Sequence, residues 1–232
     1  MQTPPTLSHR WDLSPREAAL LQKRLAARVI RKDDFEKIEV IAGADLSLSA
    51  DGKDAYAGII LYEFPSLKEI KRVWTKAPLV FPYIPGLLSF REGPILLKAF
   101  EKLDRLPDLI LFDGQGIAHP RRLGIASHMG LLLDCPTIGC AKSLLCGKYE
   151  EPGKKRESFS LLTDQGETIG VVLRTRDRVK PIFVSLGHRV SLETAIRIVL
   201  ECHSGYRIPK PTREADQFVG EIKRKEIENR SV

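Results

Sequence analysis

The chain predicts an α/β fold, with a mixed central sheet whose antiparallel meander is flanked by helices. Three observations predict it. Apolar runs between residues 39 and 75 are split by two short turns, which makes three consecutive antiparallel strands. Beyond residue 90, helix-length stretches alternate with short apolar runs, the pattern of strands joined by crossover helices. Hydrophobic residues make up 43% of the 232 positions, enough for a sizeable core, while 29% are charged and keep the surface soluble.

Each element follows from local chemistry. Ser14-Pro-Arg-Glu17 is a capping box with Pro15 at the first helical position, and predicts a helix to about Arg31. Strands follow at about Glu39–Ser49, Ala55–Tyr62 and Lys68–Thr75. The turns Ala50-Asp-Gly-Lys53 and Glu63-Phe-Pro-Ser66 join them. Ala77 to Phe90 is a loop of turn residues and aromatics. A helix is predicted over about Glu92–Leu103, with Pro94 in its first turn. Strand Leu109–Phe112 leads through Gly114-Gln-Gly116 to a helix at about Arg122–Leu133 and a strand at Thr137–Ala141. Gly147–Ser158 reads as a charged surface loop. Strands at about Thr168–Arg174 and Pro181–Ser185 precede a helix at Leu192–Cys202, and Thr212–Glu228 has the composition of a charged terminal helix. With no linker and no repeat, the chain reads as one domain, its core over about residues 14–215 and a charged C-terminal tail over 216–232. The core order β-β-β-α-β-α-β is that of the ribonuclease H-like fold.

Composition narrows the function classes. A formal charge of +7 and a pI near 9.3 favour a polyanionic partner. The first twelve residues carry no apolar signal core and no run approaches membrane-spanning length, so a cytoplasmic chain that does not engage membranes is expected. Cys135, Cys140, Cys146 and Cys202 contain no C-x-x-C pair, which argues against a zinc site.

Three acids carry the chemistry. Asp45 interrupts the apolar run Val40-Ile-Ala-Gly-Ala-Asp45, Asp113 ends Leu109-Ile-Leu-Phe112, and Glu92 follows the proline-rich loop as its helix opens. Buried carboxylates are costly unless paired or bound to cations, so acids at the ends of separate apolar elements indicate a hard-cation site. In the ribonuclease H-like fold a first-strand carboxylate lies beside the one ending the fourth strand, and the intervening helix supplies another. Oxygen ligands suit Mg²⁺, with Mn²⁺ as a substitute.

Longer motifs surround these acids. They are Ile41-Ala-Gly-Ala-Asp45, Pro82-Tyr-Ile-Pro-Gly-Leu-Leu-Ser-Phe-Arg-Glu92, Asp113-Gly-Gln-Gly-Ile-Ala-His119 running on to His128, Pro136-Thr-Ile-Gly-Cys-Ala-Lys142, and Gly187-His-Arg-Val-Ser191. Through them the chain resembles the endonuclease V family of inosine-specific nucleases over about residues 38–215. Many family members carry Gly-His-Gly where this chain has Gly114-Gln115-Gly116. Glutamine hydrogen-bonds but does not titrate, so an acid–base role at that position is not carried over.

The resemblance implies roles for further residues. His119 either contacts the scissile phosphate or handles a proton near the leaving group. Lys142 neutralises phosphate charge or orients the attacking water. Tyr83 and Ile84, stiffened by Pro82 and Pro85, would fill the gap left by a flipped base. Gly86, Leu88, Gly114, Gly124, Ile125 and Gly139 would form the base pocket, the glycines giving close backbone approach. Arg91, Arg121, Arg122 and Lys148 are candidate phosphate contacts, and His128, His188 and Arg189 are further candidates from their motifs. The clusters Lys154-Lys-Arg156 and Lys223-Arg-Lys225 read as solvated faces.

The expected activity is Mg²⁺-dependent repair cleavage of DNA containing deoxyinosine. The family cuts the second phosphodiester bond 3′ to the lesion, leaving 3′-hydroxyl and 5′-phosphate ends. Action mainly on inosine-containing RNA is the alternative, and an idle nucleic-acid-binding module is a second. No protein partner is evident in the sequence.

Overall fold

The structure, a computed structural model, describes residues 7–230. Its central element is an eight-stranded mixed sheet in the order β3-β2-β1-β4-β5-β8-β7-β6. The strands are β1 (Val40–Leu48), β2 (Asp54–Glu63), β3 (Glu69–Pro78), β4 (Leu109–Phe112), β5 (Thr137–Ala141), β6 (Phe159–Asp164), β7 (Glu167–Leu173) and β8 (Ile182–His188). The helices are α1 (Pro15–Ala26), α2 (Leu88–Phe100), α3 (Ile125–Leu133), α4 (Leu192–Glu201) and α5 (Lys210–Arg230). No helix among the described residues is long and apolar enough to cross a membrane.

The meander β1-β2-β3 is antiparallel, while β4 runs parallel to β1 and β5 parallel to β4. Alternation along the strands sends side chains to two cores. Ala42, Ala44, Ile110 and Phe112 meet Ile95, Phe100, Ala126 and Met129 of α2 and α3. Ile41, Leu109, Leu111 and Ile138 face the other way, toward Ala195, Ile198 and Val199 of α4 and Phe218 of α5. The sheet is thus a middle layer between two helical layers, and α1 lies over the first through Ala18, Leu21 and Leu25.

Several boundaries differ from the sequence reading. α1 ends at Ala26 rather than about Arg31 because tertiary bonds claim the backbone beyond it. The Ile30 N–H donates to His188 Nδ1 at 3.2 Å, and the Arg189 N–H donates to the Ile30 carbonyl at 2.7 Å. α2 begins at Leu88, so Glu92 lies in its second turn and Pro94 inside the helix rather than in its first turn. α3 begins at Ile125 because Arg122 sits at φ 56°, outside helical space. The sequence reading missed β6, an edge strand whose Phe159 and Leu161 are half-exposed, so it lacks the clean apolar alternation of a covered strand. Residues 216–230 of the segment read as a tail belong to α5, whose Ala215, Val219 and Ile222 are buried, and 231–232 lie outside the described residues.

Candidate active site

Register brings the first two acids together. Ala44 pairs with Phe112 across the parallel β1–β4 ladder, so Asp45 and Asp113 follow one another at the same level. Glu92 reaches toward them from α2. Asp216, exposed on α5, approaches from the opposite helical layer. Burial pushes the Asp45 carboxyl up to about 8, reinforced by the charges of Asp113, Asp216 and Glu92. Burial likewise raises Glu92 to about 7, with Asp113 adding repulsion and Arg91 opposing it. Lys142 Nζ lies 2.5 Å from Asp113 Oδ2. Burial lowers the Lys142 ammonium, but the contact with Asp113 and the charges of Asp216 and Asp45 outweigh it and leave it raised.

This donor set fits a hard divalent cation. It consists of carboxylate oxygens, partly desolvated and mutually repelling, a state that a bound cation relieves. No three such side chains among the described residues are already gathered around one point. Lys142 is the cation in contact instead. The sequence reading missed Asp216. Its one signal is its place on α5, beside the buried stripe Ala215, Val219 and Ile222, and that signal is faint in a helix so rich in charge.

Beside the acids opens a cavity of about 380 Å³. Its wall includes Gly86, Leu88, Gly114, Gly124 and Ile125, and Asp113 and Lys142 also line it. Gly139 lies underneath rather than in the wall. A Cβ there would sit 2.4 Å from the Gly116 nitrogen and 2.6 Å from the Gly114 carbonyl oxygen, so glycine lets β5 pass directly below the 114–116 loop. Gln115 also lines the cavity. Its Nε2 donates to the Ser143 carbonyl at 3.1 Å, while its buried Oε1 has no hydrogen-bond partner.

The loop from Phe81 to Leu87 forms the rim. The Leu87 N–H closes a turn onto the Ile84 carbonyl at 2.9 Å, with Gly86 at φ 78°, a conformation that favours glycine. Pro82, Tyr83 and Pro85 are exposed, Tyr83 by 68%, and Ile84 is half-buried against α1 and Phe90.

A network under the rim holds this loop. The Gly86 carbonyl accepts from Gln22 Nε2 at 3.0 Å, Arg121 Nη2 at 2.7 Å and His119 Nε2 at 3.0 Å. Gln22, buried on α1, also donates to the Leu123 carbonyl and accepts from Arg121 Nε at 2.5 Å. His119 Nδ1 accepts from the Arg121 N–H at 3.1 Å. Both ring nitrogens are therefore engaged as in a neutral imidazole, and burial together with Arg121 lowers His119 to about 4. Sequence reasoning missed Gln22, since nothing local marks a glutamine on α1 as part of a site more than sixty residues away.

The three arginines expected at phosphates are placed differently. Arg121 is tied to Gln22 and Gly86. Arg122 pairs with Asp164 at 2.9 Å and Glu167 at 2.6 Å, which clasps the β6–β7 hairpin to the site. Arg91 donates to the Phe81 carbonyl at 3.3 Å, at the base of the rim loop. His128 and His188 are buried, and Arg189 pairs with Asp34 and Asp134.

Comparison with known proteins bears on the family and the fold. The family model described as Endonuclease V matches residues 23–217. A protein named endonuclease V from Methanothrix thermoacetophila is 52% identical over 207 residues, covering 89% of this chain and 91% of the relative. The crystal structure of the Streptomyces avermitilis endonuclease V superposes with a TM-score of 0.87 at 36% identity, covering 99% of this chain and 100% of that one. The Ciona intestinalis endonuclease V, solved with a 24mer DNA containing an inosine followed by a ribo-adenosine, superposes at 0.79 with 32% identity, covering 92% of this chain and 98% of that one.

Proposed function

This chain belongs to the endonuclease V family, and we propose that it is a Mg²⁺-dependent repair endonuclease that recognises deoxyinosine by base flipping and cuts the second phosphodiester bond 3′ to it. The observation that carries this reading is one junction. A cavity of about 380 Å³ under an exposed aromatic loop is lined by Lys142 and by Asp113, whose charge repels the neighbouring Asp45 carboxyl.

The residues divide the work. Tyr83, at the tip of the rim, occupies the gap when a base leaves the stack, and Pro82 and Pro85 keep the loop stiff for that purpose. The cavity takes the flipped hypoxanthine. Gln115 Oε1, an unpartnered buried acceptor, receives a base N–H such as N1–H. Asp45, Glu92, Asp113 and Asp216 are the residues that would hold Mg²⁺. When bound, that ion supplies charge neutralisation at the scissile phosphate and activation of water. Lys142 exchanges its contact with Asp113 for the phosphate and stabilises the negative charge that develops there. His119, with both nitrogens engaged, acts through the loop it holds, as Arg121 and Gln22 do.

The ribo-adenosine beside the inosine in the Ciona complex favours a second reading, in which the strand next to the lesion is RNA. A cleavage assay on matched strands carrying deoxyinosine, inosine or neither, with and without Mg²⁺, decides between the two. Cutting of unmodified strands at the same rate, or full cutting in excess chelator, rules out both.

A further inference from the structure

A second cavity continues from the first. It is a cleft of about 930 Å³ between the segment around Tyr149–Lys154 and the loop from Arg174 to Pro181. Lys142 lines both cavities and is the one residue common to the two walls. A strand with its base in the first cavity and a phosphate at Lys142 has this cleft ahead of it.

The cations of the cleft fall into two sets. Arg174 and Arg207 are consumed by the fold. Arg174 is buried and donates to the carbonyls of Pro152, Gly153 and Val179, and it pairs with Glu151, which neutralises that acid. Arg207 donates to the carbonyls of Lys180 at 2.9 Å, Pro181 at 2.8 Å and Lys142 at 2.7 Å, so it anchors the backbone of the lysine that joins the two cavities. Lys154, Arg178 and Lys180 form the other set. They are exposed, and none has an acidic partner among the described residues. Tyr149 stands among them, 38% exposed, with its ring packed edge-on to Phe183 at 5.5 Å between centroids. Unpaired cations along a groove with an exposed aromatic ring make a surface suited to single-stranded nucleic acid, since phosphates meet the cations and a base stacks on the ring.

We propose that this cleft is a second binding tract, holding the single strand beyond the cut, with Lys154, Arg178 and Lys180 on its phosphates and Tyr149 stacked on a base. The proposal rests on the endonuclease reading above, which gives the strand its register. The tract extends the grip of the protein over several nucleotides that the base cavity does not touch. It also places a counter-charge on the departing end of the strand without adding a group to the reacting phosphate.

The test uses the full chain with Lys154→Gln, Arg178→Asn and Lys180→Gln combined. Asparagine is chosen because Arg178 sits at φ 58°, which asparagine tolerates. Labelled inosine-containing single strands are titrated at several salt concentrations, with long arms on both sides or with either the 3′ or the 5′ arm shortened. Single-strand phosphate contacts contribute roughly 0.7 each to the salt slope, so the variant should lose about two from it. Binding to the strand with the long 3′ arm should weaken about tenfold or more. Sensitivity to the 3′ arm should vanish while dependence on the 5′ arm stays, and the short strand should be cut at the wild-type kcat. Tyr149→Leu, which keeps an apolar contact with Phe183, should weaken binding only when the 3′ arm is long. A variant that matches wild type in slope and arm dependence, or that loses affinity equally for both arms, overturns the tract alone. A wild type that does not distinguish the inosine strand from an unmodified one overturns the lesion reading, and the tract with it.

Discussion

Asp45→Asn should make the metal-free protein more stable while abolishing cleavage. In the fold, burial and three neighbouring carboxylates raise Asp45 from 3.8 to about 8. In the unfolded chain no such cost exists. The sign follows from linkage: a carboxyl raised in the fold contributes fully below about pH 4, and that contribution is lost as pH rises toward 8. With ~1.4 kcal/mol per pKa unit, the ceiling at pH 7.5 is roughly 5 kcal/mol. Asp45 is only partly covered and solvent screens the neighbouring charges, which brings the expected gain to roughly 1–3 kcal/mol. For a chain of this length that is about 2–12 °C in melting temperature. Asparagine keeps an acceptor for the Leu46 N–H that now serves the carboxylate. The assay is thermal melting in chelator at pH 5 and pH 8, repeated with Mg²⁺. The variant should exceed wild type at pH 8 by more than at pH 5, and Mg²⁺ should raise wild type more than the variant. A variant that melts at or below wild type at pH 8 in chelator would refute the claim that these acids repel one another in want of a cation.

Three further outcomes are expected. Tyr83→Ala should cost about one to two orders of magnitude in affinity for a duplex carrying deoxyinosine, from roughly 1–3 kcal/mol of lost base contact. Its loss on single-stranded inosine substrate should be smaller, and equal losses would assign the defect to folding. Gln115→Leu should weaken binding of inosine strands by roughly 1–3 kcal/mol, the value of a buried hydrogen bond removed, and leave unmodified strands unaffected; a parallel loss on both would discard its base-reading role. Burial and the neighbouring His9 lower His128 to about 3, against 6.5 unfolded, so its contribution is full above about pH 6.5 and is lost as pH falls toward 3. Urea midpoints should therefore fall more steeply from pH 7 to pH 5 in wild type than in His128→Gln, and parallel falls would show that the imidazole is not held neutral.

The sequence by itself determined the meander and the acids. Short turns and apolar runs mark the three strands, Asp45 and Asp113 stand out because each ends or interrupts such a run, and the parallel β1–β4 pairing that brings them level was expected only from the fold the element order resembles. The rim loop was legible for a similar reason, since Pro82 and Pro85 fix their own φ and Gly86 allows the positive φ of a tight turn whatever surrounds them. Only the tertiary structure decided which side chains are free. Arg122 reads in sequence as a ready phosphate ligand, yet the β6–β7 hairpin places Asp164 and Glu167 on it. Lys154 reads as a solvated charge, yet the fold sets it beside Arg178 and Lys180 in a cleft that begins at Lys142. Gln22 and Asp216 reach the site from helices at opposite ends of the chain. Local propensity records what a residue does to its own backbone, and it carries no information about which distant helix face the core will press against it. The acids were visible because their cost is local, whereas the network that holds the loop is made of hydrogen bonds between segments that only packing brings together.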